Sequence, residues 1–128
     1  CLGPLTGTFL SKMDLNIPVF GTLDNPIHAM NLVKHMYEIR KVYPKHKIIA
    51  VDACLGNNDS IGSIQIKKGP IHPGKGVGKR LPPVGDISIV GVVDSSEAGE
   101  FLHMHNIRLS LVMKMAEVIT RGIYVAFK

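Results

Sequence analysis

Ile48-Ile49-Ala50-Val51-Asp52-Ala53-Cys54-Leu55-Gly56 is the stretch that decides the fold, because a bare carboxylate, Asp52, ends a run that otherwise reads as a buried strand. The branched apolar residues before it and Gly56-Asn57-Asn58-Asp59-Ser60 after it give the length and flanks of a parallel strand buried on both faces. In open parallel sheets, ligands bind outside the carboxyl ends of the strands, which makes an acid placed there a candidate for chemistry. Asp52 capping the following turn through its side chain fits the same position, and both readings stay open.

Working outward, three segments read as helices and four as strands, in an alternating order that predicts an α/β domain. Pro4 to Met13 is the first helix, with Leu5, Phe9 and Leu10 toward the core. Pro18-Val19-Phe20-Gly21 reads as a short strand. Asp24-Asn25-Pro26 then starts a second helix, with Ile27, Met30, Val33, Met36 and Tyr37 on its apolar face and an end near Tyr43-Pro44. Beyond the Asp52 strand, Ser63 to Lys67 alternates like an edge strand, and Gly69 to Gly85 is a long loop dense in turn residues, expected to be ordered and functional. Asp86 to Asp94 is the last strand. A final helix spans about Glu97 to Arg121, with Gly122 as its stop.

The 128 residues, 45% of them hydrophobic, form one domain, 1–128, with a core of Ile, Val, Leu and Met. Aromatic content of 5% without Trp offers no stacking platform for single-stranded nucleic acid, and no apolar run is long enough to span a bilayer. The net charge of +5 comes from scattered Lys and Arg, densest from Lys34 to Lys47, so nucleic acid is not the expected partner. Two cysteines, Cys1 and Cys54, make no disulfide scaffold, and a reducing, cytoplasmic setting is expected. The opening Cys1-Leu2-Gly3-Pro4-Leu5 already resembles a helix start, which leads us to expect further chain ahead of Cys1.

Several motifs fail on their chemistry. Gly69-Pro70-Ile71-His72-Pro73-Gly74-Lys75 has the letters of a phosphate loop, but Gly76 stands where Ser or Thr would hold magnesium, and Pro82-Pro83 follows instead of a helix. His103-Met104-His105 cannot grip one metal from a helix, because residues two apart point to nearly opposite sides. Cys54, two residues from Asp52, is expected to be a poor nucleophile, since a neighbouring carboxylate raises a thiol's pKa. His72 stands in the glycine-rich loop, from which a side chain can be aimed at the sheet's carboxyl edge. A second acid close enough to share a proton with Asp52 is not evident, because Asp24 reads as a helix-start residue, Asp86 as a loop-to-strand residue, and Asp94 is not persuasive.

Taken together, these motifs resemble a sporulation-protein family of YyaC type. The likeness runs through Cys1 to Leu5, Phe20-Gly21-Thr22-Leu23-Asp24, Ile49 to Gly56, Leu81-Pro82-Pro83-Val84-Gly85-Asp86-Ile87-Ser88-Ile89 and Arg108 to Ala116. The germination protease of spores is similar at Val51-Asp52-Ala53 and at the loop from Gly69 to Gly78. The resemblance implies an atypical aspartic endopeptidase in which Asp52 is one acid of a pair and the other directly precedes Cys1. It implies His72, in the loop that covers the site, as a second catalytic residue, and Gly74, Gly76, Lys79 and Asp24 in substrate binding. It also implies a phosphorylase/hydrolase-like three-layer α/β/α sandwich whose first strand lies ahead of Cys1. Acid-soluble spore proteins are the implied substrates, in the cytoplasm of the sporulating cell or forespore, with no cofactor and with homo-oligomers allowed. A non-catalytic factor binding a peptide or protein through the same groove is the alternative. Hydrogenase maturation peptidases are more distantly similar; in them nickel would meet Asp52 and His72.

Overall fold

The computed structural model describes residues 1–73, 80–96 and 108–128. Among these, three α-helices and three strands form a mixed α/β unit: α1 (Leu2–Ser11), α2 (Leu32–Val42), β1 (Ile49–Gly56), β2 (Ile64–Lys68), β3 (Ile87–Ser95) and α3 (Leu109–Phe127). The sheet order is β1-β3-β2, with β1 parallel and β2 antiparallel to β3. Burial runs along nearly all of β3, whereas β1 is only half-buried along most of its length. The strand covered on both faces is therefore β3, and not the Asp52 strand as the sequence implied. β2 is the expected edge strand, wet along nearly its whole length.

Strand alternation sorts β1 and β3 onto two faces. Ile49, Val51 and Ala53 of β1, with Ile89 and Val93 of β3, pack against Leu2, Leu5 and Leu10 of α1 and Met115, Ala116 and Ile119 of α3. Leu2, only 1% exposed, is the innermost large side chain, and its burial contributes about 1.5–3 kcal/mol. Two glycines let α1 come so close. A Cβ on Gly3 would lie 2.8 Å from the Val51 carbonyl oxygen, and one on Gly7 would run into the carbonyl oxygen of Gly21. From the other side of β1, Ala50 packs with Leu32 of α2 and with Val84.

The expected strand at Pro18 to Gly21 does not form. Val19 reaches the core from irregular chain, which runs on to the start of α2. That helix begins at Leu32, not at Asn25, because Asn31 organises the turn ahead of it. Its Oδ1 accepts the His28 N–H at 2.8 Å and its Nδ2 donates to the Pro26 carbonyl at 3.0 Å. The change of start changes the buried face. The sequence holds two overlapping apolar sets sharing Ile27 and Met36, and the one packed inward is Leu32 and Met36, with Ile27 from the preceding turn as expected. Met30, Val33 and Tyr37, read as core, are 87%, 59% and 67% exposed.

The start of the expected final helix, with Phe101, His103 and His105, lies outside the described residues. Its end is later than expected, because α3 runs through Gly122 to Phe127 and Ile123 still faces the core. Gly122 is not a stop: the C-terminal glycine signal requires a left-handed residue, and Gly122 is not among the positive-φ glycines. On the buried side of α3, the Thr120 hydroxyl has no hydrogen-bond partner among the described residues. Thr120→Val keeps the shape and removes that unsatisfied group, and should raise unfolding stability by about 1 kcal/mol, measured as a shift in the urea midpoint at constant slope.

Candidate functional site

Asp52 sits inside β1, opposite Val90 of β3, and the strand continues four residues beyond it to Gly56. The acid is thus within the strand and not at its carboxyl end. Alternation places its side chain on the face of Ala50 and Cys54, away from the core built by α1 and α3. Its Oδ1 accepts the N–H of Ala53, the next residue in the strand, at 2.8 Å, while Oδ2 has no hydrogen-bond partner among the described residues. Just beyond, the register slips. Cys54 pairs with Val92 but Leu55 with Asp94, so Val93 is an extra residue in β3, and bulges of this kind commonly re-aim side chains beside active sites.

The His72 loop is stitched to the same region at its base. Ile71 and Val84 exchange backbone hydrogen bonds of 2.8 and 3.0 Å, and Val84 packs on Ala50, two residues before Asp52 and on the same face. The Ser88 hydroxyl, opposite Ala50 in the sheet, donates to the Gly69 carbonyl at 2.6 Å. The anchor therefore lies toward the amino ends of β1 and β3, and not at the carboxyl edge that the sequence pointed to. His72 itself is exposed, and no hydrogen bond joins it to Asp52 among the described residues. Asp24 is exposed on the connection between α1 and α2. Gly74, Gly76 and Lys79 lie outside the described residues.

Two other acids weighed as partners of Asp52, Asp86 and Asp94, sit elsewhere. Asp86 clamps the strand starts, its Oδ2 accepting the Ile48 N–H at 2.8 Å. Asp94 is buried at the far end of β3 and accepts the Ser95 N–H at 2.8 Å. It stands four residues beyond the partner of Asp52, about 13 Å along the strand, too far to share a proton with it. With Ile61, Val93, Leu111 and Arg108 it lines a cavity of about 300 Å³. Sequence reasoning did not anticipate that cavity or its arginine; the available signal was an acid ending the β3 apolar run. Among the described residues, no cluster of three or more His, Cys, Asp or Glu is placed to hold a metal ion, and no helix is long and apolar enough to cross a membrane.

The profile of a family described as a protein of unknown function, DUF1256, matches residues 1–122. The chain belongs to the DUF1256 family. A relative in Bacillus subtilis (strain 168), described as uncharacterized protein YyaC, is 47% identical over 123 residues, which cover 95% of this chain and 60% of that protein. The chain thus spans about 60% of the length of the curated relative it matches. No solved structure matches it.

In this DUF1256 chain Cys54 behaves as its position requires. Burial pushes its thiol above the ordinary value of 9.0, and the Asp52 carboxylate pushes it further in the same direction. The folded state therefore favours the neutral thiol. This stabilising contribution is full below the ordinary pKa and is lost as the pH rises through the raised one. At pH 8, Cys54 should react with a disulfide reagent far more slowly than the exposed Cys1. Asp52→Asn should speed Cys54 only in part, because burial, the larger cause, remains. Equal rates for the two thiols would contradict this.

Proposed function

We propose that this chain carries the catalytic half-site of a sporulation-associated endopeptidase of germination-protease type, with Asp52 as one carboxylate of an aspartate pair. The observation that carries the reading is the state of Asp52: a half-buried carboxylate with one oxygen unoccupied among the described residues, on the sheet face to which the His72 loop is anchored. An acid directly before Cys1, as the resemblance implies, would complete the pair. The close approach of Gly3 to the Val51 carbonyl supports this, because it sets the start of α1 beside the residue that precedes Asp52.

Two carboxylates sharing one proton provide both functions that peptide hydrolysis needs. The ionised acid takes a proton from water as its oxygen attacks the scissile carbonyl carbon. The protonated acid gives its proton to the carbonyl oxygen. The tetrahedral intermediate then collapses, returning that hydroxyl proton to one carboxylate while the other passes its proton to the leaving nitrogen. Gly74, Gly76, Lys79 and Asp24 would hold and orient the substrate chain, and His72 would act from the covering loop as the catalytic partner of the pair. The net charge of +5 suits an acidic protein substrate such as acid-soluble spore proteins, in the forespore cytoplasm. The three-layer sandwich belongs to the same proposal, supported by α1 and α3 on one face of the sheet and Leu32 against Ala50 on the other.

The test is incubation of the full-length protein with acid-soluble spore protein, with and without a chelator. Discrete fragments formed equally in both support the aspartate reading. Cleavage abolished by the chelator, with stoichiometric nickel or zinc lost on His72→Ala, supports a maturation-peptidase-like metal site instead. The exposure of His72 without a bond to Asp52 favours one further reading, a non-catalytic factor that binds its partner in the same groove. Binding with no cleavage would establish it.

A further inference from the structure

The outer edge of β2 leaves a whole row of backbone groups open. The Gly69 N–H donates to the Asp86 carbonyl at 2.8 Å, and the Ser63 carbonyl accepts the Val92 N–H at 2.9 Å. In the antiparallel register between them, Gln65 and Lys67 therefore also turn their backbone groups to β3. By alternation Ile64, Ile66 and Lys68 point theirs outward, where no hydrogen bond meets them among the described residues. Ile66 lies opposite Ile89, which puts its side chain on the sheet face covered by α1 and α3, yet it is 71% exposed. The helix beside it, α3, follows the strand. Leu111 stands 3.6 Å from where a Cβ on Gly62 would lie, and Met115 crowds the same position on Gly91, the partner of Ile64. The next turn of α3 comes level with Ile66. At 100° per residue Val118 and Val125 share the flank of Leu111, and both are exposed.

We propose that two copies of this chain join through β2 about a two-fold axis passing between Ile66 and Ile66 of the second copy. One continuous sheet results, with both α3 helices on the same face. In this register Ile64 faces Lys68 of the second copy and Lys68 faces its Ile64, so every outward N–H and carbonyl of β2 is paired. Charge decides the register. Axes through Lys67 or Lys68 would set like charges directly opposite each other, and an axis through Gln65 would carry Lys68 past the end of the strand, opposite Gly62. Lysines at a sheet edge ordinarily guard against such pairing, but here Lys67 meets Gln65 and Lys68 meets Ile64. The same surface decides the occupant. A ladder this short is smaller than a stable interface requires, and the apposed flanks of α3, uncharged at Leu111, Val118 and Val125, add the missing area without charge conflict. A single foreign strand would fill the ladder and leave Val118 and Val125 uncovered, and a lipid surface offers no regularly spaced acceptors. Nothing in the proposal depends on the chemistry at Asp52.

The test is sedimentation velocity on the full-length protein, which should be a dimer at micromolar concentration and dissociate on dilution. Ile66→Lys sets two like charges against each other at the axis and should raise the dissociation constant at least about tenfold, as should Ile66→Glu. Both variants should keep the parent's circular dichroism spectrum, because the position is exposed. An equimolar mixture of the two should restore the dimer, since opposite charges face each other only where position 66 meets itself across the axis. Val118→Glu with Val125→Glu should weaken the dimer through α3. A monomer at all concentrations would overturn the proposal, including one that instead binds an alternating Glu/Val peptide or phosphatidylserine vesicles. So would a dimer that the single Ile66 variants leave intact, or a mixture that fails to re-form it.

Discussion

Gly7→Ala should destabilise the fold by about 1–3 kcal/mol, although alanine is the better helix former by roughly 1 kcal/mol. The new methyl group would meet the carbonyl oxygen of Gly21, a backbone atom that no side-chain rotation can move aside. Gly21 is itself constrained, with φ +85 and a following turn closed by the Thr22 N–H to the Asn25 carbonyl. Relief therefore requires α1 to lift from its seat, and with it the buried Leu2, Leu5 and Leu10. Gly122→Ala is the matched comparison. A Cβ there meets nothing within 4 Å, and the position lies inside α3, so the same substitution should stabilise by up to about 1 kcal/mol. Urea unfolding of the two variants should show midpoints displaced in opposite directions; a common direction would mean that α1 does not pack on Gly21 as described.

Asp52→Asn is expected to lower endopeptidase activity by about 10²–10⁴-fold, the usual worth of a positioned proton-transfer group, while leaving the fold intact. Asparagine is nearly isosteric and its amide oxygen can still accept the Ala53 N–H that Oδ1 accepts now. It cannot carry the negative charge that removes a proton from water. Unfolding stability within about 0.5 kcal/mol of the parent, together with lost turnover, is the signature of a catalytic carboxylate. A large loss of stability would instead mark Asp52 as a structural cap.

How much of this was legible in the sequence differs from element to element. β1, β2 and β3 were each visible as runs bounded by turn residues, since local pattern and flanks are what define a strand. Which of them is central was not visible, because pairing partners are set by the whole sheet, and the branched run at Ile48 to Val51 fits an edge strand whose outer side is partly wet as readily as a buried one. α2 misled for a different reason. Met30, Val33 and Tyr37 form a proper helical stripe, but the contact available is to Ala50 and Val84, and Leu32 and Met36 meet it. Periodicity identifies an apolar stripe and does not say whether this chain or a partner covers it. The acid itself could be singled out as a carboxylate in an apolar run, but its neighbours could not. Asp86 turned out to be a strand clamp, and the wall shared by Asp94 and Arg108 joins β3 to α3 across the chain.

The measurement closest to the central claim is the initial rate of acid-soluble spore protein cleavage by the full-length protein and by its Asp52→Asn variant, with fragments identified by mass spectrometry. The account predicts discrete fragments from the parent and a rate lower by at least about a hundredfold in a variant that unfolds at the same urea concentration. An intact substrate with the parent, or equal rates for parent and variant, would contradict it.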